Sequence, residues 1–320
     1  MKITIVIRTH SRPDFLKEAL SSIHLQSHTN WELLLFDDSG NEENYSIYHK
    51  FKSEHKDNRC IYMTAMKSYY LFKNSWVYGF QLAEGDVLIR LDDDDLLMPN
   101  TLEYINSVYE LNKDLDFSYG SSKYFKGNEV DTHSIIARSP NEMKNVHAWV
   151  PYLIPNNTPW VNPYCWWTDH FKDNPQPFTS IVHASRSNQL CIYHLYAFRV
   201  SSVMKVLDKI EISSTMVDDL EVMATLDYLN LGHSCIKTFL TLVRMHEMPR
   251  VTDLDNKSSG DLGWCDEIER VRNKLDEKRP GGFTSRVVNI HTPELRYDPN
   301  DIQSIGNQWI MEVKNNSKSY

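Results

Sequence analysis

Residues 88–99 have the sequence LIRLDDDDLLMP, in which a short apolar run ends in four consecutive aspartates. Adjacent carboxylates repel one another, so folding them together costs free energy unless a cation compensates. The run follows residues 85–89 (GDVLI), a pattern that predicts a turn leading into a buried strand. In open α/β sheets, ligands bind outside the carboxyl ends of strands. The aspartates therefore predict a ligand site, and a solvated acidic loop that caps the next helix is the alternative.

The first forty residues predict two more strands of the same sheet. Residues 3–7 (ITIVI) are rich in β-branched residues and predict a buried strand, which is followed by a loop and a helix that begins at Pro13. Residues 31–36 (WELLLF) predict a second strand, which ends in Asp37 and Asp38. Successive β-α units imply a parallel sheet with right-handed crossovers. The loop after the first strand meets a helix N-terminus, where backbone N–H groups favour phosphate.

Composition narrows the class of protein. The 320 residues carry a net charge of -9 with a pI near 5.8, which argues against a general polyanion binder. The five cysteines are dispersed without a CxxC pair, so we expect reduced thiols in a cytoplasmic protein and neither a zinc site nor a disulfide framework. The apolar stretch at the N-terminus is too short for a signal peptide or a membrane span, so we expect no integral membrane segment.

The middle of the chain differs in character from the first part. Residues 130–178 contain seven prolines with four tryptophans between them, which excludes a long regular helix or a central strand. We predict an ordered excursion here, and a surface insertion that packs its own aromatic rings is an equal alternative. Aromatic faces stack on sugars or on unpaired bases. Farther on, residues 265–277 predict a charged helix, and the last forty residues end in a tail that looks disordered.

The series of motifs resembles the family 2 glycosyltransferases of the GT-A fold. The similarity lies in residues 5–16 (IVIRTHSRPDFL), in Gln26-Ser27 and in residues 31–39. Residues 83–86 (AEGD) and 91–95 (LDDDD), with a proline at 99, are similar to the second signature of the family. The resemblance covers about the first 125 residues, and its strength comes from the order and spacing of the pieces.

The resemblance implies the fold and its division. The expected fold is an α/β, GT-A (Rossmann-like) fold with a mixed, mainly parallel sheet flanked by helices, an aromatic and proline-rich excursion on the acceptor side, and a C-terminal extension. Residues 1–125 would form the nucleotide-sugar-binding half, residues 126–250 the acceptor-binding half of the same domain, and residues 251–320 a C-terminal extension.

The resemblance also implies a nucleotide-sugar site at the carboxyl ends of the strands. Thr9 and the backbone after the first strand would border the nucleotide. Asp38 would accept hydrogen bonds from the base, as a uracil N–H requires, and a helix N-cap is the alternative for this residue. Asp92 and Asp94 match the two acids of the DxD element, with Asp93 between them. The implied nucleotide-sugar set is Thr9, His10, Arg12, Asp38, Asp92, Asp93 and Arg244.

A divalent cation, Mn²⁺ or Mg²⁺, is implied beside the diphosphate. Asp94 is the first candidate for direct contact with the metal, aided by Asp92, because both cations prefer hard oxygen ligands. The metal would bridge the two phosphates and act as a Lewis acid on the leaving diphosphate. Residues 238–243 (TFLTLV) predict a late strand, and Arg244 and His246 follow it. The resemblance implies that His246 would face the metal or the diphosphate, with Arg244 near phosphate.

An acidic pair at Asp218 and Asp219 precedes helically spaced apolar residues. In the family the second acid of such a pair is the general base of inverting transfer, and Asp219 occupies that position. A helix N-terminus and a nearby cation both favour the carboxylate form that a base needs. A plain N-cap pair is the alternative. Asp218 and His194 are placed on the acceptor side, and a core histidine is an equal alternative for His194.

The sequence departs from the family pattern at several positions. His10 stands where the family has tyrosine, Ser11 where it has asparagine, and Arg8 where it has proline. Trp76-Val77 occupies the place of an Arg-Asn pair, which removes an arginine expected to contact phosphate or base. These changes leave the identity of the base more open.

The prediction for function is a metal-dependent inverting glycosyltransferase of the hexosyl- or pentosyltransferase class. It would move a sugar from a nucleoside-diphosphate sugar, with UDP favoured, to a hydroxyl of a glycan or a lipid-linked glycan. A hydroxylated base in DNA is a second acceptor class, which the net charge of -9 weakens. A nucleotidyltransferase would instead release pyrophosphate, and a non-catalytic sugar- or nucleotide-binding module would bind without turnover.

Overall fold

A computed structural model describes residues 1–64, 70–135, 137, 195–210, 222, 225–226, 229–245, 277, 286–294 and 301–320. The strands are β1 (Ile3–Thr9), β2 (Trp31–Asp37), β3 (Cys60–Thr64), β4 (Val87–Asp92), β5 (Leu96–Leu97), β6 (Phe117–Lys126), β7 (Glu129–Ile135), β8 (Tyr196–Arg199) and β9 (His233–Arg244). The helices are α1 (Pro13–His24), α2 (Glu42–Glu54), α3 (Tyr70–Leu82), α4 (Thr101–Leu111), α5 (Val200–Val203) and α6 (Ile302–Ser317).

These strands form one mixed sheet in the order β3-β2-β1-β4-β8-β6-β9-β5, and β7 pairs with β6. Strands β3, β2, β1 and β4 run parallel to one another. Strand β8 is antiparallel to both β4 and β6, whereas β6 and β9 are parallel. The mixed, mainly parallel α/β sheet predicted from the sequence is therefore confirmed.

Alternate residues of the first strands supply two cores, one on each face of the sheet. Ile5 and Leu33 belong to the core that includes α1, α2 and α4, and Val6 and Leu34 belong to the core that includes α3. Each strand is buried on both faces, which explains why its sequence is a continuous apolar run and does not alternate. The two cores hold the carboxyl ends of β1, β2 and β4 side by side.

The predicted elements of the first part agree with the structure. Strands β1, β2 and β4 and helix α1 from Pro13 are all present. Helix α5 is a single turn, which a short 3-10 helix at Leu207–Lys209 follows. Most of the aromatic excursion at 130–178 lies outside the described residues, as does the helix predicted at 265–277 except for Glu277. The domain boundaries remain a prediction.

The end of the chain is an ordered helix, so the predicted disordered tail is wrong. Helix α6 buries Trp309, Ile310 and Val313 against β5, β6 and β7. The indole Nε1 of Trp309 donates to the Leu97 carbonyl at 2.7 Å, and Ser21 Oγ donates to the Val313 carbonyl at 2.9 Å. Helix α6 therefore braces β5, the strand that follows the four aspartates.

A fully buried carboxylate lies at the amino edge of the sheet. Glu32 has no exposed surface and accepts hydrogen bonds from Thr4 Oγ1 at 2.5 Å and from the Gly85 backbone at 3.1 Å. Its other donors are the Glu84 backbone at 2.6 Å, Arg59 at 2.8 Å and the Lys2 ammonium at 3.2 Å. A Cβ at Gly85 would lie 2.6 Å from Thr4 Oγ1, so only glycine allows this approach. Burial acts to raise the pKa of Glu32, but these donors outweigh it and lower the pKa.

Two further expectations concern thiols and membranes. In the described part of the chain, Cys60 and Cys235 are free thiols. Among the helices of that part, none combines the length and the apolarity that a bilayer crossing needs.

Candidate functional site

The four aspartates form a turn between β4 and β5. The Asp95 N–H donates to the Asp92 carbonyl at 3.2 Å, and this turn brings the fourth acid back toward the first. Asp93 and Asp95 are buried, whereas Asp92 and Asp94 are half-buried. One carboxylate oxygen from each of Asp92, Asp94 and Asp95 lies within 4.8 Å of the other two. We call this turn, residues 92–95, the acid loop.

Asp93 lies outside this group of three acids and is buried within the protein. Its carboxylate has no exposed surface and accepts a hydrogen bond from Thr9 Oγ1 at 2.7 Å. The guanidinium of Arg12 pairs with both carboxylate oxygens of Asp93 and donates to Asp94 Oδ2 at 2.5 Å. Three residues of the implied nucleotide-sugar set, Thr9, Arg12 and Asp93, therefore form one cluster that ties the loop after β1 to the acid loop.

Charge and burial oppose each other in this cluster. Burial raises the pKa of Asp93, and the charges of Asp94 and Asp92 raise it further, against the lowering effect of Arg12 and Thr9. Burial acts to lower the pKa of Arg12, but the three acids outweigh it and raise that pKa. The acid loop thus carries repulsion between carboxylates that Arg12 relieves only in part.

A second part of the site lies at the end of β2. His10 Nδ1 is 2.5 Å from Asp38 Oδ1, and the His10 side chain is partly exposed. Asp38 Oδ2 is buried and has no hydrogen-bond partner among the described residues. Burial raises the pKa of Asp38, which the hydrogen bond and charge of His10 counteract. Asp38 is not a helix N-cap, because α2 is capped by Asn41, which accepts from the Glu43 N–H at 2.8 Å.

The neighbouring Asp37 has a structural role. Its carboxylate is fully buried and accepts hydrogen bonds from Ser39, from Asn44 Nδ2 at 3.1 Å and from Tyr62 OH at 2.6 Å. With its oxygens filled, Asp37 fixes the loop that presents Asp38.

The register of the sheet brings the two parts together. Strand β1 lies between β2 and β4, with Thr9 opposite Asp37 on one side and Arg8 opposite Asp92 on the other. The loop after β1 then contacts both flanks, through His10 to Asp38 and through Thr9 to Asp93. The predicted base-contacting acid and the predicted DxD acids therefore share one edge of the sheet, around the same loop.

Arg244 also contacts the acid loop. It ends β9, where its Nε donates to the Asp94 carbonyl at 2.9 Å and its backbone N–H donates to Asp95 Oδ1 at 3.0 Å. Its guanidinium pairs with Glu18 of α1 at 2.5 Å.

Two residues at this edge were not singled out from the sequence. Asp95 forms a group of three acids with Asp92 and Asp94. A turn at the end of β4 was the sequence feature that could have predicted this. Arg90 donates to Asp92 Oδ1 at 3.0 Å and lies over the Trp76 ring at 5.0 Å. Residues two apart on a strand share a face, so the Arg90–Asp92 spacing was the signal for this pair. Arg90 thus supplies a guanidinium in contact with Trp76, which stands where the family has arginine.

The remaining predicted site residues fall outside the described part of the chain. These are the predicted base Asp219, the acceptor-side Asp218 and His194, and the metal candidate His246.

Thr9, Asp38 and the acid loop all lie within a stretch of the chain that matches a family model. Residues 4–166 match the family model described as Glycosyl transferase family 2, which is about half of the chain. The chain belongs to glycosyl transferase family 2. Membership of this family confirms the predicted family and the predicted enzyme class.

Relatives of the family 2 chain match it over limited lengths. Protein CgeD of Bacillus subtilis is 24% identical over 131 residues, which cover 40% of this chain and 31% of that protein. The putative glycosyltransferase EpsE of the same organism is 29% identical over 102 residues, which cover 32% of this chain and 36% of that protein. The match therefore spans about a third of the length of these curated relatives.

A solved structure supports the fold of this family 2 chain. S. aureus TarS 1-349 in complex with UDP-GlcNAc superimposes with a TM-score of 0.53 at 12% identity, covering 89% of this chain and 68% of that one. At this identity the likeness shows the fold alone, and it confirms the predicted GT-A fold.

Proposed function

We propose that this family 2 chain is a metal-dependent, inverting glycosyltransferase that uses a nucleoside-diphosphate sugar, with UDP favoured. The observation that carries the proposal is the acid loop, where oxygens of Asp92, Asp94 and Asp95 lie within 4.8 Å of one another at the carboxyl edge of the sheet. Burying like charges this close is unfavourable without a compensating cation. Ligands of open α/β sheets bind at this edge.

The acid loop fits a divalent cation. Carboxylate oxygens are the ligands that Mg²⁺ and Mn²⁺ prefer, and a phosphate often completes the coordination of Mg²⁺. Asp94 and Asp92 would hold the ion, with Asp95 as a third ligand beyond the predicted pair and His246 as the predicted ligand outside the described residues. When bound, the ion supplies Lewis-acid stabilisation of the charge that develops on the leaving diphosphate.

Arg12 has a defined part in this proposal. In the described structure it pairs with Asp93 and with Asp94, so it neutralises part of the acid loop. Its link to buried Asp93 would keep the loop after β1 in place, and its side chain is about one-third exposed. Arginine donors match phosphate geometry, which agrees with the predicted assignment of Arg12 to the nucleotide-sugar.

The base of the nucleotide would lie against His10, Thr9 and Asp38. A carboxylate accepts a hydrogen bond from the N–H of a uracil ring. One oxygen of Asp38 is bonded to His10, and the other has no hydrogen-bond partner among the described residues. An imidazole face is suited to stacking on a base. The fold neighbour TarS was solved with UDP and with UDP-GlcNAc, which supports a UDP-linked donor for this chain as a proposal.

The acceptor half of the proposal depends on residues outside the described part. Asp219 would take the proton of the acceptor hydroxyl as its oxygen attacks the anomeric carbon, and the bond from that carbon to the diphosphate oxygen would break. Asp218 and His194 would line the acceptor side. The proposed acceptor is a glycan or a lipid-linked glycan, and a hydroxylated base in DNA is the second class.

One assay tests the donor, the metal and the reaction type. The protein is incubated with UDP-, GDP- and dTDP-linked sugars, with Mn²⁺, with Mg²⁺ or with EDTA, and the nucleotide products are separated. We expect UDP release that EDTA abolishes and that Asp94→Asn and Asp219→Asn both lose. Pyrophosphate as the product would indicate a nucleotidyltransferase, and tight binding without turnover at any metal concentration would indicate a binding module. Full turnover by Asp219→Asn would remove the proposed base.

A further inference from the structure

Arg244 is more deeply buried than a residue that contacts substrate needs to be. Its side chain is 8% exposed and is enclosed between two aromatic rings, with its guanidinium carbon 4.5 Å from the centre of Phe15 and 4.6 Å from that of Phe125. Phe15 belongs to α1 and Phe125 to β6, so Arg244 joins elements that are far apart in sequence.

The polar groups of Arg244 face the acid loop and α1. Its Nε donates to the main-chain carbonyl of Asp94 at 2.9 Å, which fixes the backbone and leaves the carboxylate of that residue unused by this bond. Its backbone N–H donates to Asp95 Oδ1 at 3.0 Å, and its outer nitrogen pairs with Glu18 at 2.5 Å. Two of the three acids that converge within 4.8 Å are thus fixed by one residue.

We infer that Arg244 is a positioning residue for the metal site and does not bind the phosphate of the donor. The inference rests on the proposed function, because it assigns Arg244 to the outer contacts of the proposed cation ligands Asp94 and Asp95. Groups in this outer layer orient the ligands of a metal, and their loss typically weakens metal affinity 10- to 100-fold.

The geometry explains why lysine is a poor substitute. The planar guanidinium donates in two directions, to the Asp94 carbonyl and to Glu18, while its faces stack on two rings. A lysine ammonium is a compact point charge without that fork. Arg244→Lys therefore keeps the charge and the backbone bond to Asp95 but loses the simultaneous hold on α1 and the acid loop.

The opposite end of the sheet offers a matched control. Arg199 ends β8 beside Val87, at the amino end of β4, and its Nε donates to the Leu115 carbonyl at 3.0 Å. It also lies over the ring of Tyr109 at 5.2 Å. Like Arg244, Arg199 donates to a main-chain carbonyl and lies over an aromatic ring, but it does so far from the acid loop. Arg199→Lys therefore reports the cost of losing such contacts without disturbing the proposed metal site.

The experiment measures binding of Mn²⁺ alone, from the spectroscopic signal of the free ion, to the full chain and its variants. We expect Arg244→Lys to raise the Kd for Mn²⁺ about 10-fold and Glu18→Gln to raise it less, because Arg244 then keeps its bond to the Asp94 carbonyl. Arg199→Lys is expected to lower Tm as much as Arg244→Lys with an unchanged Kd for Mn²⁺. Binding of UDP in EDTA is expected to be equal in all of these proteins.

Several results would overturn the inference. A Kd for Mn²⁺ in Arg244→Lys that stays within about two-fold of wild type removes the positioning role. Loss of UDP binding in EDTA with unchanged Mn²⁺ affinity would instead assign Arg244 to phosphate. If Arg244→Lys does not fold, Glu18→Gln decides, and unchanged Mn²⁺ affinity in that variant counts against the inference. Wild-type protein that binds neither Mn²⁺ nor UDP would overturn the proposed function itself, whereas wild-type binding with equal variants overturns only this inference.

Discussion

The two edges of the sheet bury carboxylates in different ways. At the amino edge, Glu32 accepts five donors from protein groups, and its pKa is lowered. At the carboxyl edge, Asp92, Asp94 and Asp95 converge within 4.8 Å, and burial with the neighbouring acids raises the pKa of Asp93. A carboxylate whose oxygens are filled by the protein stabilises the fold. Carboxylates that converge on one another repel, at a cost in stability that a bound cation would relieve.

The largest expected effect tests the amino edge. Glu32→Ala removes the buried acceptor of Thr4 Oγ1 and of the Glu84 N–H, and it breaks the ion pair with Arg59. Removing one partner of a buried ion pair typically costs about 3–5 kcal/mol, and we expect a loss of that size in the free energy of unfolding by urea. Glu110→Ala, at an exposed carboxylate that pairs with the N-terminal amine, is the control and should change little. Equal losses in the two variants would end the distinction drawn for Glu32.

The second prediction concerns activity at the carboxyl edge. Asp94→Asn is expected to lower metal-dependent UDP release about 100-fold or more, because Lewis-acid stabilisation is worth several kcal/mol. The same change reduces repulsion in the acid loop, so we expect Tm to stay within about 2 °C of wild type in EDTA. Calorimetry beside the activity assay measures both. A fall in Tm as large as that of Glu32→Ala would mean that Asp94 stabilises the fold as Glu32 does.

The third prediction is a difference in pH dependence between the two edges. Glu32 has a lowered pKa, so its contribution to stability is present above its ordinary value of 4.5 and is lost as pH falls below it. Asp93 has a raised pKa, so the folded state holds more protons than the unfolded state above pH 3.8, and stability falls as pH rises through this window.

Stability curves of single variants isolate these two slopes. The free energy of unfolding of wild type should exceed that of Glu32→Gln by less as pH falls. The free energy of unfolding of Asp93→Asn should increase relative to that of wild type as pH rises from about 4 toward neutral. Chemical unfolding at a series of pH values gives both differences. Slopes of the same sign would contradict the comparison.

The smallest effect is expected at His10. His10→Ala removes a ring beside the proposed base and its bond to Asp38, and we expect UDP affinity to fall about 3- to 10-fold, as for the loss of one aromatic contact. His28→Ala is the control, since that histidine bonds only main-chain carbonyls at the amino edge among the residues described. Calorimetric titration with UDP makes the comparison. Equal affinities in the two variants would remove His10 from the proposed base site.

Local pattern was sufficient for the first strands and for the placing of the site. Residues 3–7, 31–36 and 88–91 are apolar runs that only a strand buried on both faces explains, and Pro13 marks the start of α1. Because parallel strands end at the same edge, the positions of Asp38 and Asp92 in sequence already placed them together.

The division of roles among the four aspartates was not predictable in the same way. Asp93 is buried where Thr9 of β1 and Arg12 of the following loop bond its carboxylate, from more than eighty residues earlier. Arg244 holds the Asp94 carbonyl from β9, about 150 residues later. The order of α6 was also missed: its apolar residues recur at helical spacing, but nothing in that pattern shows that β5, β6 and β7 cover them. Contacts made across such distances leave little trace in local sequence.

The bond from Trp309 to the Leu97 carbonyl has a consequence for biosynthesis. The two residues are 212 positions apart. At roughly 5–20 residues per second, a ribosome therefore adds Trp309 about 10–40 s after β5. The neighbourhood of the acid loop would therefore complete its packing only after residue 309 has been synthesised. A nascent chain arrested before residue 309 is expected to have formed β1, β2 and β4 but to bind metal poorly.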